Sequence, residues 1–243
     1  MINAAEIRAL LVTDDHGTID TSASLFRELG VDPQPAIKTH GIPEELGRMK
    51  YEALLLDFDA VSAAQAILDH ARNSPSHKDA VVFAVATDAG QRQWALAHGA
   101  NFVFERPLDT KEIRRVLHAA YDLMTRERRR YFRCAAELPV LLVEKGSGAD
   151  RRCTTINISS SGVAVATPSP LILGEEVEIA LLLQASGLAV RARGTVVWDD
   201  KHGKAGITFR CLTAQMQTEL DSWLDAHFFD LLSSGHRAQW LSP

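Results

Sequence analysis

A chain of 243 residues that is 46% hydrophobic and 23% charged has enough apolar residues to bury two cores, as a soluble globular protein of two domains would. Its net charge of -5 is unevenly spread: residues 1–125 carry 12 Lys+Arg against 18 Asp+Glu, residues 126–243 carry 14 against 13, and five arginines fall within 126–133. That pattern excludes the broad basic surface of a general DNA binder, and no apolar run approaches the ~20 residues of a membrane span.

The opening Met1-Ile2-Asn3-Ala4-Ala5-Glu6 lacks the basic start and apolar core of a secretion signal, so a cytoplasmic location is expected. Ile7 to Val12 reads as a short strand ending in Thr13-Asp14-Asp15. Residues 18–29 follow with helical spacing, Ile19, Ala23, Phe26 and Leu29 sharing a face that Gly30 closes. Apolar runs at 53–56 and 80–86 predict two more strands, each followed by a helix, over 63–72 and 91–98. Residues 102–104 predict another strand. A last helix over 110–124 runs on through Thr125-Arg126-Glu127 into Arg128-Arg129-Arg130-Tyr131-Phe132-Arg133. Strands alternating with helices give an α/β fold, a doubly wound parallel sheet covered on both faces. Ligands of such sheets bind beyond the carboxyl ends of the strands, where Asp14, Asp15, Asp57 and Thr87 fall.

From Ala136 the texture becomes β. Short apolar or alternating runs at 138–143, 152–158, 162–166, 176–183, 188–198 and 204–209 predict six strands of a small antiparallel barrel. Turn residues separate them at 145–148, 168–170, 185–187 and 199–203. Residues 213–229 have helical periodicity through Met216, Leu220, Trp223, Leu224 and Phe228, and a tail is expected beyond Leu232. The division expected is therefore 1–125 and 126–243. Cys134, Cys153 and Cys211 are odd in number, widely spaced and without a CxxC, as buried reduced thiols would be. There is no P-loop, GxSxG or HExxH, and His16, His40, His98 and His236 show no metal-ligand spacing, so no catalytic residue is assigned and a non-enzyme is expected.

Two resemblances rest on these residues. Residues 5–124 resemble a response-regulator receiver domain with a five-stranded sheet, through Asp14-Asp15, Asp57 after Leu54-Leu55-Leu56, Thr87, and Gly99-Ala100-Asn101. The resemblance implies Mg²⁺ held by Asp14, Asp15 and Asp57, and Asp57 as candidate phosphoacceptor. Converging carboxylates do call for a hard cation. Two positions depart from the pattern: Arg106 stands where the family has lysine before proline, and Val103 stands at the switching aromatic. A bulky planar guanidinium need not replace a flexible ammonium, and a docking or dimerising pseudo-receiver is the other reading.

Arg129-x-x-x-Arg133 followed by Asn157-x-Ser159-x-x-Gly162 is similar to the two-part signature of the PilZ domain, a bacterial receptor for cyclic di-GMP. Val196-Val197-Trp198 and Lys204 to Phe209 look like that family's late strands. The resemblance implies Arg128, Arg129, Arg130, Arg133, Asn157, Ser159 and Gly162 as ligand-binding residues. Arginine can grip the O6 and N7 of guanine or clamp phosphate, and the amide and hydroxyl two residues apart share one strand face. The function expected is a cyclic di-GMP receptor that changes an interdomain or partner arrangement. The implied partners are cyclic di-GMP and a downstream protein, with a homodimer admitted, and neither DNA nor a membrane span. Two alternatives stand beside it: an interaction adaptor that binds no nucleotide, and a phosphorylation-dependent response regulator.

Overall fold

The computed structural model describes residues 6–36, 42–146, 148–183 and 187–240. Of the expected features, His40, Ser147 and residues 185–186 lie outside the described residues. The chain divides into two compact units, Met1–Arg129 with Gly235–Pro243, and Arg130–Ser234.

The first unit alternates β1 (Ile7–Val12), α1 (His16–Glu28), β2 (Val31–Pro35), α2 (Ile42–Arg48), β3 (Ala53–Asp57), α3 (Ala64–Asn73), β4 (Val81–Ala86), α4 (Ala89–Ala97), β5 (Phe102–Glu105) and α5 (Thr110–Arg130). All pairings are parallel, in the order β2-β1-β3-β4-β5. This is the doubly wound receiver-like arrangement, whose switch point lies between β1 and β3. Every residue of β3 and β4 is buried, as central strands covered on both faces must be. Asp15 caps α1 by accepting from the N–H groups of Gly17 and Thr18, and Asp88 caps α4 by accepting from Gln91 N–H. β2 and α2 went unread in the sequence. The first is Val-Asp-Pro-Gln-Pro, tolerable only at an edge, and an edge is where it sits.

The second unit contains β6 (Cys134–Ala135), β7 (Pro139–Glu144), β8 (Asp150–Ser159), β9 (Gly162–Ala166), β10 (Glu176–Leu183), β11 (Leu188–Asp199), β12 (Lys204–Cys211) and α6 (Ala214–Trp240). Strands pair antiparallel in the order β8-β7-β10-β11-β12-β9, and β9 pairs back onto β8, closing a six-stranded barrel; β6 adds a two-residue pairing to β8. Alternation builds the interior: Val177, Ile179, Leu181 and Leu183 of β10 point in and are buried. α6 buries Leu220, Trp223, Leu224 and Phe228, and its helix continues through the positions expected to be a tail. Phe132, 3% exposed, meets the Phe228 ring edge-on at 5.2 Å, so the residue next to Arg133 is anchored in the core.

Candidate functional site

The barrel carries a cleft of about 320 Å³ lined by residues of β8, β9, β11 and β12, with Arg133 at its rim. Asn157, Ser159 and Gly162 line it together with Arg133, so four of the residues singled out from the sequence meet in one place. The tip of the β8–β9 hairpin is a two-residue turn, Ser160-Ser161, and both of its carbonyls are taken. Ser161 O accepts Phe209 N–H at 2.8 Å and Thr208 Oγ1–H at 3.1 Å, while Ser160 O accepts Gln217 Nε2–H of α6 at 3.2 Å. Ser159 Oγ donates to Gly162 O at 3.2 Å, which leaves its lone pairs for another donor.

Gly162 pairs with Ser159 on one side and Thr208 on the other. A Cβ there would lie 2.4 Å from Ile207 O, so the glycine permits strand closure rather than a turn. Gly206 does a related job: a Cβ would lie 2.0 Å from Trp198 Nε1, because the indole lies across the glycine it pairs with. Trp198 remains 43% exposed at the cleft, an aromatic face backed by a strand.

The arginine cluster is split. Arg128, Arg129 and Arg130 are in the last turn of α5, whereas Arg133 follows the helix and is exposed. Among the described residues Arg133 has no salt-bridge or side-chain hydrogen-bond partner. Arg128 Nη1 donates to Glu52 Oε1 at 3.3 Å. Glu52 is fully buried at the amino end of β3; burial pushes its pKa up, against the pull of Arg128, of Arg8 N–H at 2.8 Å and of Lys50. His77 is buried close by and accepts Tyr51 N–H at Nε2, 3.2 Å away. Burial, reinforced by the Lys50 charge, pushes its pKa down to about 4.

At the other end of β3 lies the acidic pocket. Asp57 is fully buried; its Oδ1 accepts the N–H groups of Asp59 and Ala60 at 3.1 Å each, and Oδ2 accepts Thr13 Oγ1–H at 2.7 Å. Arg106 closes the pocket. Its Nη2 donates to Asp57 Oδ2 at 2.6 Å and to Thr18 Oγ1 at 3.2 Å, its Nη1 to Asp15 Oδ2 at 3.2 Å, and its Nε lies 3.6 Å from Asp59 Oδ2. Burial disfavours the Arg106 charge, but the Asp57 and Asp15 carboxylates outweigh it and raise the guanidinium pKa. The Thr18 hydroxyl, against burial, holds Asp15 below the usual carboxylate range. Asp14 is exposed, and Thr87, also exposed, gives its N–H to Gln91 Oε1. The pocket therefore uses Asp15, Asp57 and Asp59.

A Mg²⁺ ion needs several open oxygen ligands. Both oxygens of Asp57 are engaged and a guanidinium fills the centre, and among the described residues no cluster of three or more His, Cys, Asp or Glu is placed to hold a metal ion. The pocket as built does not fit the ion.

Comparison with known proteins agrees with the geometry of the barrel: one domain-family model matches the chain, over residues 127–226. The matching model is that of the PilZ domain. No curated protein matches the chain. Similar solved structures include the receiver domain of a Pseudomonas aeruginosa sensor histidine kinase with magnesium coordinated in its active-site cleft, 20% identical, covering 47% of this chain and 96% of that one, TM-score 0.42. A receiver domain of a DNA-binding response regulator from Colwellia psychrerythraea is 18% identical over 48% of this chain and 99% of its own, TM-score 0.44. The inhibitor of motility of Bacillus subtilis is 20% identical over 40% of this chain and 50% of its own, TM-score 0.35.

The barrel unit thus matches the PilZ family model, and the first unit has a receiver-like fold. Among the described residues no helix is long and apolar enough to cross a membrane. In the barrel the sequence reading missed Ser161, Thr208 and the indole face of Trp198 as cleft residues. The Trp198↔Gly206 pair carried the available signal: an aromatic opposite a glycine on neighbouring strands.

Proposed function

We propose that the chain is a non-catalytic receptor for cyclic di-GMP that binds the dinucleotide on the PilZ barrel. The observation that supports it most is the convergence of Arg133, Asn157, Ser159 and Gly162 on one cleft that also exposes Trp198. A guanine can stack on the indole while its edge meets amide and hydroxyl groups, and a guanidinium answers the phosphodiester charge. The cleft is near the small end of the ~300–1,000 Å³ range of ligand pockets. The barrel then covers one side of the ligand, and the arginine segment beginning at Arg128 folds over the other. Each charge-assisted bond contributes about 1.5–3 kcal/mol.

Arg128 and Arg129 belong to a helix of the first unit, so recruiting them to a ligand unwinds the end of α5 and competes with the Arg128–Glu52 pair. Binding is thereby converted into a change in the first unit, which a downstream protein reads. Titration calorimetry with cyclic di-GMP tests the reading: Arg133→Ala weakens binding about 10- to 150-fold. Equal heats for wild type and variant, or no heat from either, overturn it.

A further inference from the structure

We infer that Arg106 is a built-in counterion that takes the place of a divalent cation in the acidic pocket, and that this closes the receiver-like unit to both Mg²⁺ and phosphoryl transfer. The inference stands whether or not the barrel cleft takes a dinucleotide, because it rests on other residues.

Three carboxylates of separate origin face one guanidinium. Asp15 comes from the start of α1, Asp57 from the end of β3 and Asp59 from the loop after it, with their nearest oxygens 3.2, 2.6 and 3.6 Å from Arg106 nitrogens. Such a cluster requires a positive charge in its midst, and in this chain the positive charge is covalently attached. The arginine is held as firmly as it holds: Nη2 bridges Asp57 and the Thr18 hydroxyl, and Thr18 also donates its hydroxyl to Asp15 Oδ2 at 2.5 Å. A ring of bonds thus runs from Asp57 through Arg106 and Thr18 to Asp15. A hydrated divalent ion would have to expel the guanidinium and then meet carboxylate oxygens already bonded to Thr13 and to two backbone N–H groups.

Phosphoryl transfer to Asp57 fails on the same geometry. The attacking oxygen must be open to the phosphorus, yet Oδ1 accepts two N–H bonds and Oδ2 accepts from Thr13 and Arg106. The residue is also fully buried, so a donor reaches it only if Arg106 swings away and leaves the other carboxylates uncompensated. An incoming phosphoryl group normally relies on a metal to neutralise it; here the Arg106 cation is already spent on three anions. The acidic pocket then keeps one charge state, and any change in the receiver-like unit has to originate elsewhere than at Asp57.

The test compares wild type with Arg106→Ala in the full chain, by thermal melting with and without MgCl₂. Intact mass is read after incubation with a small phosphoryl donor and Mg²⁺. Wild type is expected to show no melting shift with Mg²⁺ and no adduct. Removing the guanidinium leaves the three carboxylates without a counterion and free to draw together around a cation, and Mg²⁺ at about 10 mM is expected to raise the melting temperature of Arg106→Ala by roughly 3–6 °C. If Arg106→Ala does not melt cooperatively, Arg106→Gln, which keeps amide donors without the charge, carries the same comparison. A Mg²⁺ shift or an Asp57 adduct in wild type overturns the inference, and so does a charge-removed variant as indifferent to Mg²⁺ as wild type.

Discussion

Arg106 and Arg133 are the same residue type in two opposite situations. Arg106 is 23% exposed, ties three carboxylates and a hydroxyl, and serves its own fold. Arg133 is exposed at the rim of a cleft, and no described residue pairs with it. The contrast teaches where binding capacity resides: a guanidinium whose charge is already matched by carboxylates inside the protein has little left for a ligand, whereas one left over in a polar cleft has its full hydrogen-bonding fork to offer.

The same Arg→Ala change should therefore have opposite consequences in the two units. The largest effect belongs to Arg106→Ala, which leaves a fully buried carboxylate without its cation and should cost about 3–5 kcal/mol in urea unfolding. Adding Asp57→Ala should return much of that loss; a double variant no better than the single one would show that the pair is not the source. Gly162→Val is next. Its Cβ lands 2.4 Å from Ile207 O, so the barrel should lose about 1–3 kcal/mol and the cleft its shape, measurable as a lower melting temperature together with weaker ligand heat.

A pH effect of similar size comes from His77, whose folded pKa of about 4 lies below its ordinary value. A depressed histidine contributes stability above its unfolded pKa. That contribution drains away as pH falls from ~6.5 towards 4, by up to about 3 kcal/mol, because the unfolded chain then binds the proton more readily. His77→Gln should flatten the urea midpoint across this interval. Arg133→Ala should leave stability within about 0.5 kcal/mol of wild type while cutting ligand affinity, the reverse of Arg106→Ala. The smallest effect expected is that of Lys145→Ala. Its pair with Glu176 at 2.7 Å is more than half exposed on both sides, and its loss should move the urea midpoint by no more than about 0.5 kcal/mol.

The strands were legible wherever burial is one-sided or complete, since alternation in β10 and continuous apolarity in β3 and β4 each have one reading. β6 is two residues long, too short for any period. In the cleft, the order of arginine, asparagine, serine and glycine was visible along the chain. That three of the four arginines would be helical was not, because charged residues suit a helix end and a ligand segment equally. In the acidic pocket the sequence placed Asp57 and drew attention to Arg106. It could not say which of Asp14 and Asp15 turns inward, since adjacent residues leaving a strand face opposite ways and the N-cap of α1 settles the matter. Asp59 and Thr18 were unreadable for another reason: nothing in a linear pattern marks a carboxylate and a hydroxyl that converge on a guanidinium donated by β5's far end.

α6 is 27 residues long, about 40 Å at 1.5 Å per residue, and its first turns are fastened to the cleft, with Gln217 holding the carbonyl of Ser160. The helix is also packed through Leu220, Trp223, Leu224 and Phe228, so over that length it moves with the turn as one piece. If a bound molecule tilts the serine turn by about 5°, the helix at Phe228, about 16 Å along from Gln217, shifts by roughly 1.4 Å, enough to disturb the Phe132–Phe228 contact. A small movement at the cleft is thereby carried to the aromatic anchor beside Arg133.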